Sequence, residues 1–111
     1  MPYRLAPGET WSEAKLARAL IAAWRENPRT PEAADFLNKI PELLLAHPKE
    51  RYGLHLRSFS FARRSDARLS DILEANRISR ATFERRWRRG VRFLVDLLNR
   101  DLAREQGVHP P

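Results

Sequence analysis

The chain has 111 residues, enough for one compact domain but not for two large independent ones. Hydrophobic residues make up 42% of it and glycine occurs only 4 times, so the composition predicts a folded core, and the absence of cysteine excludes disulfides and thiolate zinc sites. The formal net charge of +7 indicates a polyanionic partner.

The start of the chain predicts an arm and a first helix. Residues 1–9 hold two prolines and a glycine, and we expect them to form a flexible arm. Thr10 and Glu13 have the spacing of a capping box, in which each side chain satisfies a free backbone donor. The apolar periodicity that follows predicts a helix from about Trp11 to Glu26, ended by Asn27-Pro28.

A second helical unit follows. Thr30 before Pro31 predicts an N-cap with proline at the first helical position, where a missing backbone donor costs nothing. Pro41 lies inside the apolar pattern and is expected to kink this helix or restart it, and His47-Pro48 closes the unit. We interpret residues 10–48 as a helical scaffold or a dimerisation region, so that a homodimer would form through the N-terminal helices.

The pattern changes after residue 48. Polar and apolar residues alternate in part of this stretch, which fits either an irregular crossing or a short extended strand, and both alternatives stay open. We therefore interpret residues 49–64 as a connecting segment. Three of its aromatic residues lie among arginines, so stacking on RNA or unpaired DNA is an alternative role for them. They are Tyr52, Phe59 and Phe61.

The C-terminal part, residues 65–105, predicts a short helix, a tight turn and a long final helix. Ser65-Asp66 offers an N-cap, and the short helix is expected to end near Asn76. Ser79 offers the next N-cap, from which the long helix is predicted to run to roughly Arg104. Residues 106–111 are predicted to form a tail. Apolar residues at spacings of three and four define the inner face of the long helix: Phe83, Trp87, Val91, Leu94, Leu98 and Leu102.

Positive charge is concentrated between Arg57 and Arg92. That segment holds 11 basic and 4 acidic residues, whereas the remaining residues carry no net charge. On a helical wheel of about 100° per residue, arginines gather on the side opposite Phe83 and Trp87. A guanidinium can grip a phosphate or a guanine edge in two places, so we expect this face to bind nucleic acid. The candidate contacts on this face or beside it are Thr82, Arg85, Arg88, Arg89 and Arg92, and Arg80 at the start of the helix is a further candidate.

Three further arginines precede the turn: Arg63, Arg64 and Arg68. We expect them to contact phosphates, which strengthens binding without specifying sequence. The competing interpretation of the basic face is a solvated helix surface paired with carboxylates elsewhere in the fold. Glu84 is the only acid between Glu74 and Asp96, so local pairing along the helix cannot neutralise the face.

The tract from Leu69 to Trp87 resembles a helix-turn-helix, whose second helix enters the major groove and reads base edges. Ile78 corresponds to the buried residue after the turn, and Ser79 begins the recognition helix. Arg77 stands where such motifs usually have glycine, and Leu73 where they usually have a small residue that permits close helix crossing. We therefore expect either a turn that differs by one residue or helices that cross more widely.

Three short segments add a wider resemblance: Trp11-Ser12-Glu13 near the start, and Ser79-Arg80-Ala81-Thr82 with Arg85-Arg86-Trp87 near the end. With the helical N-terminal half, they resemble a family of small phage and prophage proteins of undefined function, whose C-terminal half is similar to the DNA-binding region 4 of sigma factors. The resemblance covers the last third of the chain best. It implies a transcriptional regulator of a phage, prophage or gene-transfer-agent cluster, with contact to RNA polymerase as an alternative to autonomous DNA binding.

We therefore expect an all-α domain with a C-terminal helix-turn-helix and a long final helix. Its expected function is sequence-selective binding of double-stranded DNA in transcriptional regulation. The base-reading candidates are Arg80, Thr82, Arg85 and Arg89. One alternative is a factor that binds RNA polymerase and alters initiation or termination, including antitermination. Another is a DNA-packaging adaptor similar to a small terminase subunit.

The sequence has few features that are typical of enzymes, metal-binding proteins or membrane proteins. The three histidines are scattered, and there is no HExxH motif, glycine-rich phosphate loop or nucleophile elbow. We therefore expect neither an enzyme nor a metal or cofactor site. The longest apolar run, residues 43–46, is too short to span a bilayer, and no signal-peptide core is present, so a cytoplasmic protein is expected.

Overall fold

The computed structural model describes residues 2–26, 28–61 and 68–105, and within these ranges the chain forms five α-helices and no strand. The helices are α1 (Glu13–Arg25), α2 (Pro31–Leu43), α3 (Pro48–Phe59), α4 (Leu69–Ala75) and α5 (Arg80–Glu105). The predicted all-α class is confirmed. Several predicted features lie outside the described residues: Arg63, Arg64, the cap at Ser65-Asp66, Asn27 as a helix stop and the tail at residues 106–111.

Helix α1 begins later than the capping-box pattern indicated, because Ser12 and not Thr10 is the N-cap. The Ser12 hydroxyl accepts a hydrogen bond from the backbone N–H of Lys15 at 3.2 Å. Trp11, the residue before this cap, is held by Asn99 of α5. The Asn99 side-chain oxygen accepts a hydrogen bond from the backbone N of Trp11 at 2.8 Å, and its side-chain nitrogen donates one to the backbone O of Trp11 at 3.0 Å. Since this bridge occupies both backbone groups of Trp11, the helix begins only after it.

Replacing Ser12 by alanine should lower the free energy of unfolding by about 0.5–2 kcal/mol, because an N-terminal backbone donor of α1 loses its acceptor. Replacing Thr10 by alanine is the matched control and should change it by less than about 0.5 kcal/mol. Urea denaturation followed by circular dichroism measures both. A larger loss of stability for the Thr10 variant would favour Thr10 as the cap.

The segment before α1 contacts the body of the protein. The Tyr3 ring centroid lies 5.4 Å from that of Phe36 in α2, and Leu5 packs against the same core. Lys15 and the backbone N–H of Ala6 both donate to the Glu9 carboxylate and hold its pKa below the ordinary value. Apolar burial and local hydrogen bonds therefore attach part of the predicted arm to the fold.

The predicted start of α2 is confirmed. The Thr30 hydroxyl accepts from the backbone N–H of Ala33 at 3.3 Å, and Pro31 occupies the first helical position. Thr30 also donates from its backbone N and its hydroxyl to Glu26, at 3.2 and 3.0 Å. Desolvation raises the pKa of Glu26, but these hydrogen bonds, together with the nearby charge of Arg29, outweigh it and the net pKa is lowered. Pro41 does not restart the helix, which ends two residues later at Leu43.

The segment predicted as a connection, residues 49–64, is mostly the helix α3. Pro48 is its first residue, and its buried residues are Gly53, Leu54 and Leu56. Of these three residues, only Leu54 and Leu56 have apolar side chains. The expectation of an irregular or extended stretch was wrong because the face of α3 that packs inward uses a glycine in place of a large apolar residue, which hides the helical periodicity.

Two glycines bring α3 and α5 close together. A Cβ on Gly53 would lie 3.0 Å from the Cβ of Arg86 and 3.2 Å from the backbone N of Trp87. A Cβ on Gly90 would lie 3.2 Å from the backbone O of Glu50 and from the Leu54 side chain. Since backbone atoms are among the nearest neighbours at both positions, the absence of a side chain at each allows the close spacing of the two helices.

Replacing Gly53 by alanine should destabilise the fold by up to about 2 kcal/mol. Overpacking against α5 costs roughly 1–3 kcal/mol, from which the roughly 1 kcal/mol that alanine gains over glycine in a helix is subtracted. The exchange Ala14→Gly at an exposed position of α1 calibrates that propensity difference in this chain. Denaturation midpoints measure both variants. A stabilised Gly53 variant would contradict the close crossing.

The core lies between α1, α2, α3 and α5. Its largest fully buried side chains are Phe83, Leu16, Leu20, Leu44 and Leu94. The rings of Trp24 and Trp87 meet with centroids 5.9 Å apart, which joins α1 to α5. The predicted inner face of the long helix is confirmed, because Phe83, Trp87, Val91 and Leu94 are buried and Leu98 and Leu102 are partly buried against the core. This packing holds α5 with its opposite side outward.

Candidate nucleic-acid interface

A tight turn joins α4 to α5. The predicted end of α4 near Asn76 is confirmed, since Asn76 caps it and donates from its side chain to Ile72 O at 2.7 Å. Arg77 adopts the left-handed conformation with φ of 54°, and the next residue, Ile78, donates from its backbone N to Leu73 O at 3.0 Å. Arginine therefore occupies the turn position that favours glycine.

The first turn of α5 is closed by Ser79, as predicted. Its hydroxyl accepts from the backbone N–H of Thr82 at 3.2 Å and donates to the Thr82 hydroxyl at 2.9 Å. The Thr82 side chain is thus engaged within the protein and half-buried. Arg80 remains exposed and lies 3.9 Å from Glu84 on the next turn. Of these two candidates, Arg80 is the more accessible to a ligand.

Arg85 and Arg88 are the arginines of the outward face that have no ion-pair partner within residues 2–26, 28–61 and 68–105. Both arginines are exposed. Trp87, which lies between them in the chain, and Phe83, which precedes them, are buried in the core. Neither arginine forms an ion pair with a residue in the described part of the chain. Two guanidinium groups without counter-charges therefore face solvent on one helix, as an anion-binding surface requires.

Arg89 and Arg92 do have carboxylate partners. Arg89 lies 3.8 Å from Glu50 of α3, and Arg92 lies 3.4 Å from Glu13 of α1. The competing interpretation from the sequence thus applies to these two, through carboxylates distant in the chain. However, their side chains remain 55% and 67% exposed, and surface pairs of this kind are worth only about 0–1 kcal/mol. A phosphate can compete for both guanidinium groups.

The remaining predicted cations are distributed around the turn. Arg68 is exposed and occupies the N-cap position of α4 without a side-chain cap hydrogen bond. Arg77, which was not among the predicted contacts, is exposed in the turn itself. The sequence did carry a signal for Arg77, because this arginine stands where a helix-turn-helix usually has the glycine of its turn.

The aromatic residues of α3 and the following turn do not form one stacking surface. Phe61 stacks on Trp24 with centroids 6.2 Å apart, and the guanidinium of Arg57 lies 5.0 Å from its centroid. Phe61 is therefore half-buried and packs against the core. Tyr52 and Phe59 are each 41% exposed, and both contact the ring of His55, which lies between them.

Comparisons with protein-family models, with curated proteins and with solved structures give no significant match for this chain. No helix in the described ranges is long and apolar enough to cross a bilayer. In the same ranges, no three histidine or carboxylate side chains gather as a metal site would require. Support for a function therefore comes from the geometry of the α4–α5 region.

Proposed function

We propose that this chain binds double-stranded DNA sequence-selectively through the first half of α5 and regulates transcription. The observation that carries the proposal is the pair Arg85 and Arg88, exposed and without ion-pair partners among the described residues. They lie on a helix that follows a short helix and a tight turn, which supports the proposed helix-turn-helix. The resemblance to phage and prophage proteins adds the expectation that the regulated genes belong to such an element.

The packing of α5 supports insertion into a major groove. Its apolar stripe packs against α1 and α3, and Arg85 is exposed on a helix that this packing holds in place. The major groove of B-DNA is about 12 Å wide and admits one α-helix. Docked in this way, Arg85 reaches the base edges or phosphates, and Arg80 and Arg77 contact the DNA near the start of the helix.

Arg89 and Arg92 contribute through exchange of partners. On binding, their guanidinium groups leave Glu50 and Glu13 for phosphates, and the two carboxylates become solvated. Because an existing interaction is lost in the exchange, each contributes less to affinity than an unpaired arginine. Arg85 and Arg88 therefore dominate the binding energy of this surface.

Selection from a pool of random duplex DNA, at salt concentrations of about 0.05 and 0.2 M, tests the proposal. We expect a defined motif to be enriched and the retained fraction to fall steeply at the higher salt. Salt-dependent retention without any motif would contradict sequence-selective regulation and favour a packaging adaptor. No retention at the lower salt would contradict DNA binding and favour a factor that acts through RNA polymerase.

A further inference from the structure

A groove of about 670 Å³ lies between α2 and α3. Its floor is apolar and includes Trp24, Leu37, Ile40 and Leu54. The volume falls in the range of roughly 300–1,000 Å³ that is typical of ligand sites. Neither the core packing nor the proposed DNA contacts use the open side of this groove.

The rim of the groove is positively charged. Arg29 and Arg51 line it, and no carboxylate is among its lining residues in the described part of the chain. Arg51 is exposed and forms no ion pair with a described residue. Glu26 interacts electrostatically with Arg29, but its carboxylate does not line the groove and accepts its hydrogen bonds from Thr30. An occupant that carries negative charge beside apolar groups would match this lining.

One wall of the groove is held in place by the fold. The Tyr52 ring lines the groove, and its hydroxyl donates a hydrogen bond to the side-chain oxygen of Asn76, the C-cap of α4. His55 lies against the Tyr52 ring with centroids 6.3 Å apart. Since this wall is already ordered, binding costs little additional side-chain entropy.

The lining favours a helix over other occupants. Within the described residues there is no strand, so a peptide cannot add to a sheet edge. Unpaired bases bind by stacking on aromatic planes, whereas much of this floor is aliphatic, as at Leu37 and Ile40. Two helices with an apolar groove between them instead accommodate the apolar face of a third helix.

We infer that the groove between α2 and α3 binds an acidic amphipathic helix of a partner protein. Apolar side chains at helical spacing fill the floor, and carboxylates on the flanks of that helix pair with Arg29 and Arg51. This interaction is separate from DNA binding, since none of the proposed DNA contacts lines the groove.

A displayed library of random peptides, each about four helical turns long, tests the inference with the full chain as bait. We expect enriched peptides to carry net negative charge and large apolar residues at spacings of three and four. Their affinity should fall at least about tenfold for the double variant Arg29→Glu with Arg51→Glu. Exchanging the carboxylates of an enriched peptide for lysines should restore binding to that variant.

A matched double variant, Arg18→Glu with Arg100→Glu, makes the same change in net charge at exposed positions outside the groove and should leave peptide affinity unchanged. Equal losses in both variants, or enrichment of peptides without acidic residues, would overturn the inference. Displacement of bound peptide by a single-stranded thymidine oligonucleotide would also overturn it, in favour of nucleic acid. Replacing Arg85 and Arg88 by alanine should not affect peptide binding, which separates this inference from the proposed function.

Discussion

Replacing Arg85 and Arg88 together by alanine should weaken duplex binding by roughly 10- to 100-fold near 0.1 M salt. Both guanidinium groups are exposed and unpaired within the described residues, so each can neutralise a phosphate without first leaving a carboxylate. The logarithm of the binding constant falls linearly with the logarithm of salt concentration, and the magnitude of this negative slope should be smaller by about 0.9 for each phosphate that the variant no longer neutralises. Fluorescence anisotropy with a labelled duplex measures both quantities.

The control is the double variant Arg18→Ala with Arg100→Ala, which removes the same charge from exposed positions on α1 and the second half of α5. It should bind DNA nearly as well as the unchanged chain, because neither residue is a proposed DNA contact or lies in the first half of α5. Comparable losses of affinity in the two variants would mean that net charge, and not the outward face of α5, determines binding.

Replacing Phe83 by alanine should lower the free energy of unfolding by about 3–5 kcal/mol. The ring is only 1% exposed and is among the largest fully buried side chains of the protein. Its removal leaves a cavity where the first half of α5 meets the core. Because small domains are stable by only about 5–15 kcal/mol, a large share of the total stability depends on this residue.

Phe59→Ala provides the matched control, since that phenylalanine is 41% exposed and its ring meets His55 in an edge-on arrangement. It should cost less than about 1 kcal/mol. Urea denaturation followed by circular dichroism distinguishes the two variants. A loss of stability for Phe59 as large as that for Phe83 would contradict the assignment of the inner and outer faces.

Much of the fold was predictable wherever local chemistry coincides with packing. The cap at Thr30 and the whole of α5, from Ser79 onward, follow from hydroxyl capping and from apolar residues at a strict helical spacing. Helix α3 was not predictable in this way. Its close approach to α5 depends on Gly53, and the reason for that glycine, the nearby backbone of α5, exists only in the folded chain.

The candidate interface was likewise predictable only in part. Its position on α5 follows from the helical wheel, since the arginines lie opposite Phe83 and Trp87. Which of these arginines are paired with a carboxylate does not follow from the wheel. Glu50 and Glu13 belong to other helices and reach Arg89 and Arg92 only through tertiary packing. Spacing along one helix identifies local partners, whereas the charge balance of a surface depends on the entire fold.

The most direct test of where DNA binds is a nuclear magnetic resonance titration of the isotope-labelled full chain with a duplex of about two helical turns. The largest shift changes should occur at the backbone amides of residues 79–92 and at the side-chain Nε signals of Arg85 and Arg88. Binding that leaves these signals unchanged, with the largest changes on α1 or in the groove between α2 and α3, would contradict DNA recognition by α5.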